Sequence, residues 1–221
     1  MKTYVKILML SLLAILLVFT ASVPVSLVQA SAPSEAITTT NTTLPLSPEE
    51  EATLLAMRVE EKLAHDVYVT LYDLWNMPIF LNISQSESRH TASIAKLLSA
   101  YNIPDPVDDS QIGVFEDPEI QKLYTDLIAQ GSVSLADAYV VGATIEEMDI
   151  IDLEEALAET DKADLERVYS NLKNGSIHHL SAFSRAIENQ TGTDYIPRLM
   201  TIEEYNQLTS SRGNRRQGKQ R

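Results

Sequence analysis

A glutamate and a histidine three residues apart, Glu87 and His90, are the residues of this sequence best suited to chemistry. At that spacing on a helix, both side chains point to the same side and can bind one metal ion. A carboxylate and an imidazole in an apolar stripe need a partner, because an unpaired buried charge is costly. The interrupted stripe consists of Ile83, Ile94, Leu97 and Tyr101. The structural alternative is a capping box from Ser84 to Glu87, with His90 half-buried beside it.

Four long helices are predicted to position such residues, at 47–75, 83–101, 134–159 and 160–189, with a short helix at 117–131. The first has the strongest start signal, since Ser47 is an N-cap, Pro48 follows it and Glu50 closes a capping box. No alternating run rich in Val and Thr stands out. The predicted fold class is therefore all-α.

Each long helix has an apolar stripe that is broken near its middle by residue types that bind metal. The breaking residues are Glu61, then Glu87 and His90, then Glu146 and Asp149, and then His179. Glu147 is the alternative to Glu146, because the third long helix has two competing inward directions. Antiparallel neighbours would bring these middles to one level, which is how metal sites in helix bundles are built. Oxygen and imidazole ligands without sulfur suit iron(II), manganese(II) or zinc(II).

The composition excludes several other classes of function. The 221 residues contain no cysteine, which excludes disulfides, thiolate nucleophiles, iron–sulfur clusters and zinc–thiolate sites. The formal net charge of -14 argues against nucleic acid as a partner, because a phosphate backbone requires a basic surface. No glycine-rich phosphate loop or serine nucleophile motif is present.

The N-terminus predicts export. Residues 1–30 combine a lysine-containing start, the apolar run Ile7–Phe19 and a small-residue cleavage site at Val28–Ala30, which is typical of a signal peptide. The alternative is an uncleaved N-terminal anchor, although the run is short for a membrane span. The protein is therefore predicted to be prokaryotic and extracytoplasmic, secreted or at the cell surface, with no other membrane contact. The remaining divisions are a flexible Ser/Thr/Pro linker at 31–46, the helical domain at 47–190 and a C-terminal extension with a basic tail at 191–221.

Four stretches resemble the ferritin-like superfamily, and in detail the family catalogued only as a ferritin-like domain of unknown function. They are Glu60–Tyr68, Ser86–His90, Val141–Asp149 and Gly175–Phe183. Glu61 with Tyr68 seven residues later is similar to the first-helix pattern of rubrerythrins, and Glu87 with His90 is similar to their second. The resemblance implies an antiparallel four-helix bundle with one additional short helix. It also implies a di-iron site, with Glu61, Glu87, His90, Glu146 and His179 as ligands.

The sequence departs from the superfamily pattern on its last helix. Ser176 stands where a second Glu-x-x-His pair would place its glutamate, so either Asp149 compensates or the second metal position is weak. No cysteine-rich electron-transfer domain follows, which leaves peroxidase turnover without its usual electron source. Tyr68 has two interpretations, a hydrogen bond to a metal ligand or ordinary core packing.

Three functions are compatible with this sequence. The first is a ferroxidase-like or peroxidase-like oxidoreductase that holds two iron ions and oxidises Fe(II) with oxygen or peroxide, in iron handling or oxidative defence. The second is a non-catalytic protein that buffers or delivers a divalent ion, with manganese or zinc as alternatives to iron. The third is an acidic helical interaction domain without metal. The superfamily resemblance also implies pairing into a homodimer.

Overall fold

The structure, a computed structural model, describes residues 45–210. These residues contain six helices and no strand: α1 Pro48–Trp75, α2 Pro78–Tyr101, α3 Pro118–Gly131, α4 Leu135–Glu159, α5 Ala163–Thr191 and α6 Ile202–Ser210. The predicted all-α class is confirmed for this part of the chain. The predicted signal peptide, residues 31–44 of the linker and the basic tail from residue 211 lie outside the described residues.

Local capping chemistry sets most of the helix starts. Ser47 Oγ accepts a hydrogen bond from the Glu50 N–H at 3.1 Å, and the Glu50 carboxylate accepts one from the Ser47 N–H at 2.8 Å. This is the predicted capping box. Asp117 accepts from the Glu119 N–H at the start of α3, and Ser134 accepts from the Asp137 N–H at the start of α4. These starts agree with the sequence prediction.

Two features of the helix pattern differ from the prediction. Helix α2 begins at Pro78 rather than near Ile83, because a proline at the first helical position needs no hydrogen-bond partner for a backbone N–H. Ser84 therefore lies inside the helix and donates to the Leu81 carbonyl at 2.9 Å, so the capping-box alternative is wrong. Helix α6 lies in the C-terminal extension, where no helix was predicted, and begins with a capping box between Thr201 and Glu204.

The four long helices pack along one another in antiparallel contacts. Two-residue and three-residue connections join α1 to α2 and α4 to α5, so each pair forms a helical hairpin. Helix α1 also runs antiparallel to α4, since Thr53 is 3.2 Å from Glu159 and Tyr68 is 2.7 Å from Glu146. Helices α2 and α4 consequently run in the same direction, which requires the long connection that contains α3. Among residues 45–210, no helix is both long enough and apolar enough to cross a membrane.

A polar layer divides the interior into two apolar clusters. One cluster lies around Leu63, Phe80 and Phe183, and the other around Met57, Ile94 and Leu172. Along each long helix, the predicted metal-ligating positions fall between residues of these two clusters. Hydrophobic packing on both sides therefore holds the four interrupted stripes at one level.

Candidate metal centre

The structure brings five of the six predicted ligands into two groups that share one residue. The first group is Glu61, Glu87 and His90, and the second is Glu87, Glu146 and His179. Within each group, one ligand atom of each residue lies within 4.8 Å of the others. Asp149, the sixth predicted ligand, belongs to neither group. The ligand role of all six residues remains a prediction.

Glu87 joins the two groups through its two carboxylate oxygens. Its Oε2 is 2.7 Å from Nδ1 of His90, and its Oε1 is 2.8 Å from Nδ1 of His179. A second carboxylate stands beside each imidazole, because Glu61 Oε2 is 3.3 Å from His90 Nδ1 and Glu146 Oε2 is 3.4 Å from His179 Nδ1. The result is two similar three-residue clusters on opposite sides of one carboxylate.

The spacing of these atoms fits metal coordination. Metal–ligand bonds of about 2.0–2.2 Å at angles near 90–110° separate neighbouring ligand atoms by about 2.9–3.5 Å. Two of the observed separations, 3.3 and 3.4 Å, lie within this range, and the other two, 2.7 and 2.8 Å, lie just below it. Six buried ligand atoms converge here without making a hydrogen bond of good geometry. They are Glu61 Oε2, Glu87 Oε1 and Oε2, Glu146 Oε2, His90 Nδ1 and His179 Nδ1. Because buried polar atoms are normally satisfied, this set fits a pair of metal ions.

The pKa values of the glutamates and histidines in the two groups depend on burial and on one another's charges. Burial raises the pKa of Glu61 to about 8, although His90 lowers it. Burial also acts to raise the pKa of Glu87, but His179 and His90 outweigh it and lower that pKa to about 2. Burial acts to lower the pKa of both histidines, and the carboxylates raise it instead, to about 11 for His90 and about 10 for His179. Both imidazoles are therefore held in the protonated form beside the carboxylates, and an ion that bound to their Nδ1 atoms would displace these protons.

Tyr68 supports the second group from outside it. Its hydroxyl donates to Glu146 Oε1 at 2.7 Å, which leaves Oε2 of Glu146 facing His179. The ring also packs against Phe183 with a centroid distance of 5.4 Å. Tyr68 thus combines the two interpretations offered by the sequence, core packing and orientation of a carboxylate.

The neighbouring glutamates of α4 have different surroundings. Glu146 faces the centre, whereas Glu147 accepts hydrogen bonds from the Tyr195 hydroxyl at 2.6 Å and from the Leu199 N–H at 2.6 Å. The N–H groups of Arg198 and Met200 also donate to Glu147. Glu147 therefore anchors the C-terminal segment, and Glu146 is the α4 glutamate available to an ion.

Helix α5 comes close to the centre through two small residues. A Cβ atom on Gly175 would lie 2.7 Å from Cε1 and Nε2 of His90, so only glycine leaves room for that ring. The buried Ser176 donates to the Leu172 carbonyl at 3.3 Å and contributes no charge. The second group consequently lacks a carboxylate from α5.

Two buried acids next to the centre, Glu60 and Asp152, are not among the residues predicted from the sequence. Both are buried, and none of their carboxylate oxygens has a hydrogen-bond partner. Burial raises the pKa of Glu60 well above its ordinary range, and burial with the charge of Glu155 raises that of Asp152 to about 7. The three-residue steps from Glu146 to Asp149 to Asp152 were a signal that could have identified one of them.

Comparison with known proteins relates most of the described chain to one family. The family model described as "Uncharacterized protein domain (DUF2202)" matches residues 50–212. "Uncharacterized protein MJ0754" of Methanocaldococcus jannaschii is 48% identical over 167 residues, which cover 76% of this chain and 90% of that protein. The crystal structure of hypothetical protein MJ0754 from Methanococcus jannaschii matches with a TM-score of 0.71 at 44% identity, covering 82% of this chain and 98% of that one.

Proposed function

We propose, from the premise that this chain belongs to the family described as "Uncharacterized protein domain (DUF2202)", that it is an exported ferritin-like protein. Its four long helices form a ferritin-like four-helix bundle, whose centre binds two iron ions. The proposed reaction is oxidation of Fe(II) by oxygen or peroxide, in iron handling or oxidative defence. Export is proposed from the sequence of residues 1–30 alone.

The observation that carries this proposal is the position of Glu87. A fully buried carboxylate that presents each oxygen to a different imidazole is suited to bridge two ions. Glu61 and Glu146 each add a carboxylate on one side, so three negative charges face the positive charge of two divalent ions. Mixed oxygen and nitrogen ligands without sulfur support Fe(II) as the occupant, with Mn(II) and Zn(II) as alternatives.

The residues around the centre have distinct roles in this proposal. Two bound Fe(II) ions supply two electrons, which is the number needed to reduce one peroxide to water or one oxygen to peroxide. Each group offers three protein residues that would hold an ion, which would leave coordination positions for water or an oxidant. Tyr68 holds Glu146 in place through its hydroxyl, and Gly175 leaves the space that the His90 ring occupies.

The test is anaerobic titration of the metal-free protein with Fe(II), followed by addition of oxygen or peroxide. Near two irons per chain are expected, and oxidation is followed by the near-ultraviolet absorption of ferric iron. Glu87→Gln should abolish binding at both positions because it removes the shared ligand. Glu154→Gln, on the exposed face of the same bundle, is the control and should bind iron normally.

The outcomes separate the alternatives. Two bound irons without consumption of oxidant would indicate storage or delivery of a divalent ion. One bound iron that survives Glu146→Gln would assign it to the His90 group and show that the second position is weak. Absence of saturable binding of Fe(II), Mn(II) or Zn(II) would refute the metal centre and leave the interaction-domain hypothesis.

A further inference from the structure

A file of carboxylates runs along α4 from the protein surface to the metal centre. Glu155, Asp152, Asp149 and Glu146 follow one another at steps of three residues, so each side chain is a neighbour of the next on the helix surface, and the row turns by about 60° at each step. Glu155 is exposed, whereas Asp152 is 1% exposed, Asp149 is 3% exposed and Glu146 is fully buried. The file therefore has an outer end in solvent and an inner end at the centre.

Glu60 faces this file from α1. The contacts of Thr53 with Glu159 and of Tyr68 with Glu146 fix the antiparallel register of α1 and α4. That register places residue 60 opposite residue 152. Asp152 and Glu61 lie close enough to Glu60 for their charges to repel it, and Glu60 in turn repels Asp149. We call Glu60, Asp149 and Asp152 the inner acid group.

The protein provides almost no partner for the inner acid group. Both oxygens of Glu60, both of Asp152 and Oδ2 of Asp149 are buried without a hydrogen bond. All three side chains are at most 3% exposed. Burying carboxylates in this way costs several kcal/mol each unless a cation or protons neutralise them. The same orphaned oxygens are available to coordinate an ion.

We infer that the inner acid group binds one hard divalent cation beside the two-ion centre, on the route from Glu155 to that centre. Ligands that are all carboxylate oxygens suit Mn(II), Mg(II) or Fe(II) and do not suit soft ions. The three carboxylates do not all approach within 4.8 Å of one another, so at least one of them would contact the ion through a water ligand, which Mg(II) and Mn(II) usually retain. Only the route to the centre rests on the proposed function; the site itself stands on its own residues.

The experiment is titration of the chain with Mn(II) alone, with free Mn(II) counted by electron paramagnetic resonance. Wild type is expected to bind three Mn(II) ions per chain, and the double variant Glu60→Gln/Asp152→Asn is expected to bind two. The double variant His90→Ala/His179→Ala should retain the ion of the inner acid group. Glu154→Gln makes the same charge change on an exposed part of α4 and should bind three.

Two results would separate this inference from the proposed function. If Glu60→Gln/Asp152→Asn binds as many ions as wild type with equal affinity, the inner acid group only holds protons and the inference is overturned. If wild type binds one ion that the inner-acid variant loses and the histidine variant keeps, the inference stands and the two-ion centre fails. Gln and Asn preserve volume and remove buried charge, so the metal-free variant should melt no lower than wild type, as circular dichroism can verify.

Discussion

Helix α1 buries charged side chains on two of its sides, and the two sides differ in how those charges are paired. On one side, Arg58 is 3.0 Å from Asp105 and 2.7 Å from Asp109. Lys62 pairs with Asp66 and donates to the Gln111 carbonyl at 2.8 Å. On the other side, Glu60 and Glu61 present oxygens that make no hydrogen bond.

Burial alone does not distinguish these two sides, since all of these α1 side chains are almost inaccessible to solvent. The difference lies in the partners. The paired side holds the connection between α2 and α3 against the helix, because its partners include residues 105, 109 and 111 of that connection. The unpaired side faces the proposed metal centre. The buried charges of the paired side hold a loop in place, whereas the oxygens of Glu60 and Glu61 that make no hydrogen bond are the ones available to the proposed ions.

The largest effect is expected from breaking the paired side. Asp66→Ala would leave the buried Lys62 ammonium without its counter-ion and remove the acceptor of the Gly113 N–H, which is 2.9 Å away. Loss of one partner of a buried pair typically costs about 3–5 kcal/mol. Urea unfolding should show this loss equally with and without metal. A change below about 1 kcal/mol would contradict the structural role of the pair.

The unpaired side should behave in the opposite way. Glu61→Gln removes a charge that burial disfavours, so the metal-free protein should be at least as stable as wild type. In wild type, free metal at 100 times its Kd should raise the free energy of unfolding by about 2.7 kcal/mol. In Glu61→Gln, this metal-dependent stabilisation should be smaller. Thermal melts with and without Fe(II) under anaerobic conditions measure both. An equal metal-induced shift in Glu61→Gln and wild type would remove Glu61 from the centre.

The pH dependence of stability provides a further contrast. In the metal-free protein, burial and Glu155 raise the pKa of Asp152 to about 7, so the folded state binds a proton more readily than the unfolded state. The stability from this group is present below about pH 4 and is lost as the pH rises through 7, at up to about 1.4 kcal/mol per pH unit. Asp152→Asn should therefore lose less stability than wild type between pH 5 and 8 in chelator. If urea unfolding gives the same change of stability with pH for Asp152→Asn and wild type, Asp152 does not contribute to the pH dependence.

The smallest expected effect concerns the position of one ring. Gly175→Ala adds a Cβ that would lie 2.7 Å from the His90 ring, so the ring must leave its present position beside Glu61 and Glu87. We expect about fivefold weaker binding at that position, or about 1 kcal/mol. Ser181→Ala is the control on the same helix, since its hydroxyl bonds only to the Ile177 carbonyl. Competition with a metal chelator measures both affinities.

The parts of the structure that depend on local chemistry could be predicted from the sequence. The capping residues Ser47, Asp117 and Ser134 gave correct starts for three helices, because a cap acts within a few residues. The predicted start of α2 near residue 83 is too late, because Pro78 is itself the first helical residue. Helix α6 could have been found from Thr201 and Glu204, whose spacing is that of a capping box.

Helical periodicity predicts which residues of the candidate site share one level. It does not predict the details that depend on contacts between residues distant in sequence. The interrupted stripes identified Glu61, Glu87, His90 and His179 as residues at one level. The choice between Glu146 and Glu147 depends on Tyr195 and the backbone beyond it, which no helical periodicity reveals. Glu60 was missed because it stands next to Glu61 in the sequence, and only the packing of α1 against the neighbouring helices makes both side chains buried.

The adjacent glutamates of α4 also connect the segment after α5, residues 195–200, to the candidate metal centre. Side chains one residue apart on a helix differ by about 100° in direction, so Glu146 and Glu147 point to different sides of α4 and turn together with it. The N–H groups of residues 198–200 donate hydrogen bonds to Glu147, which opposes rotation of α4 about its own axis. The Glu146 side chain is thereby kept in its orientation toward Glu87 and His179. Through its hydrogen bonds to Glu147, the segment after α5 thus helps to orient Glu146.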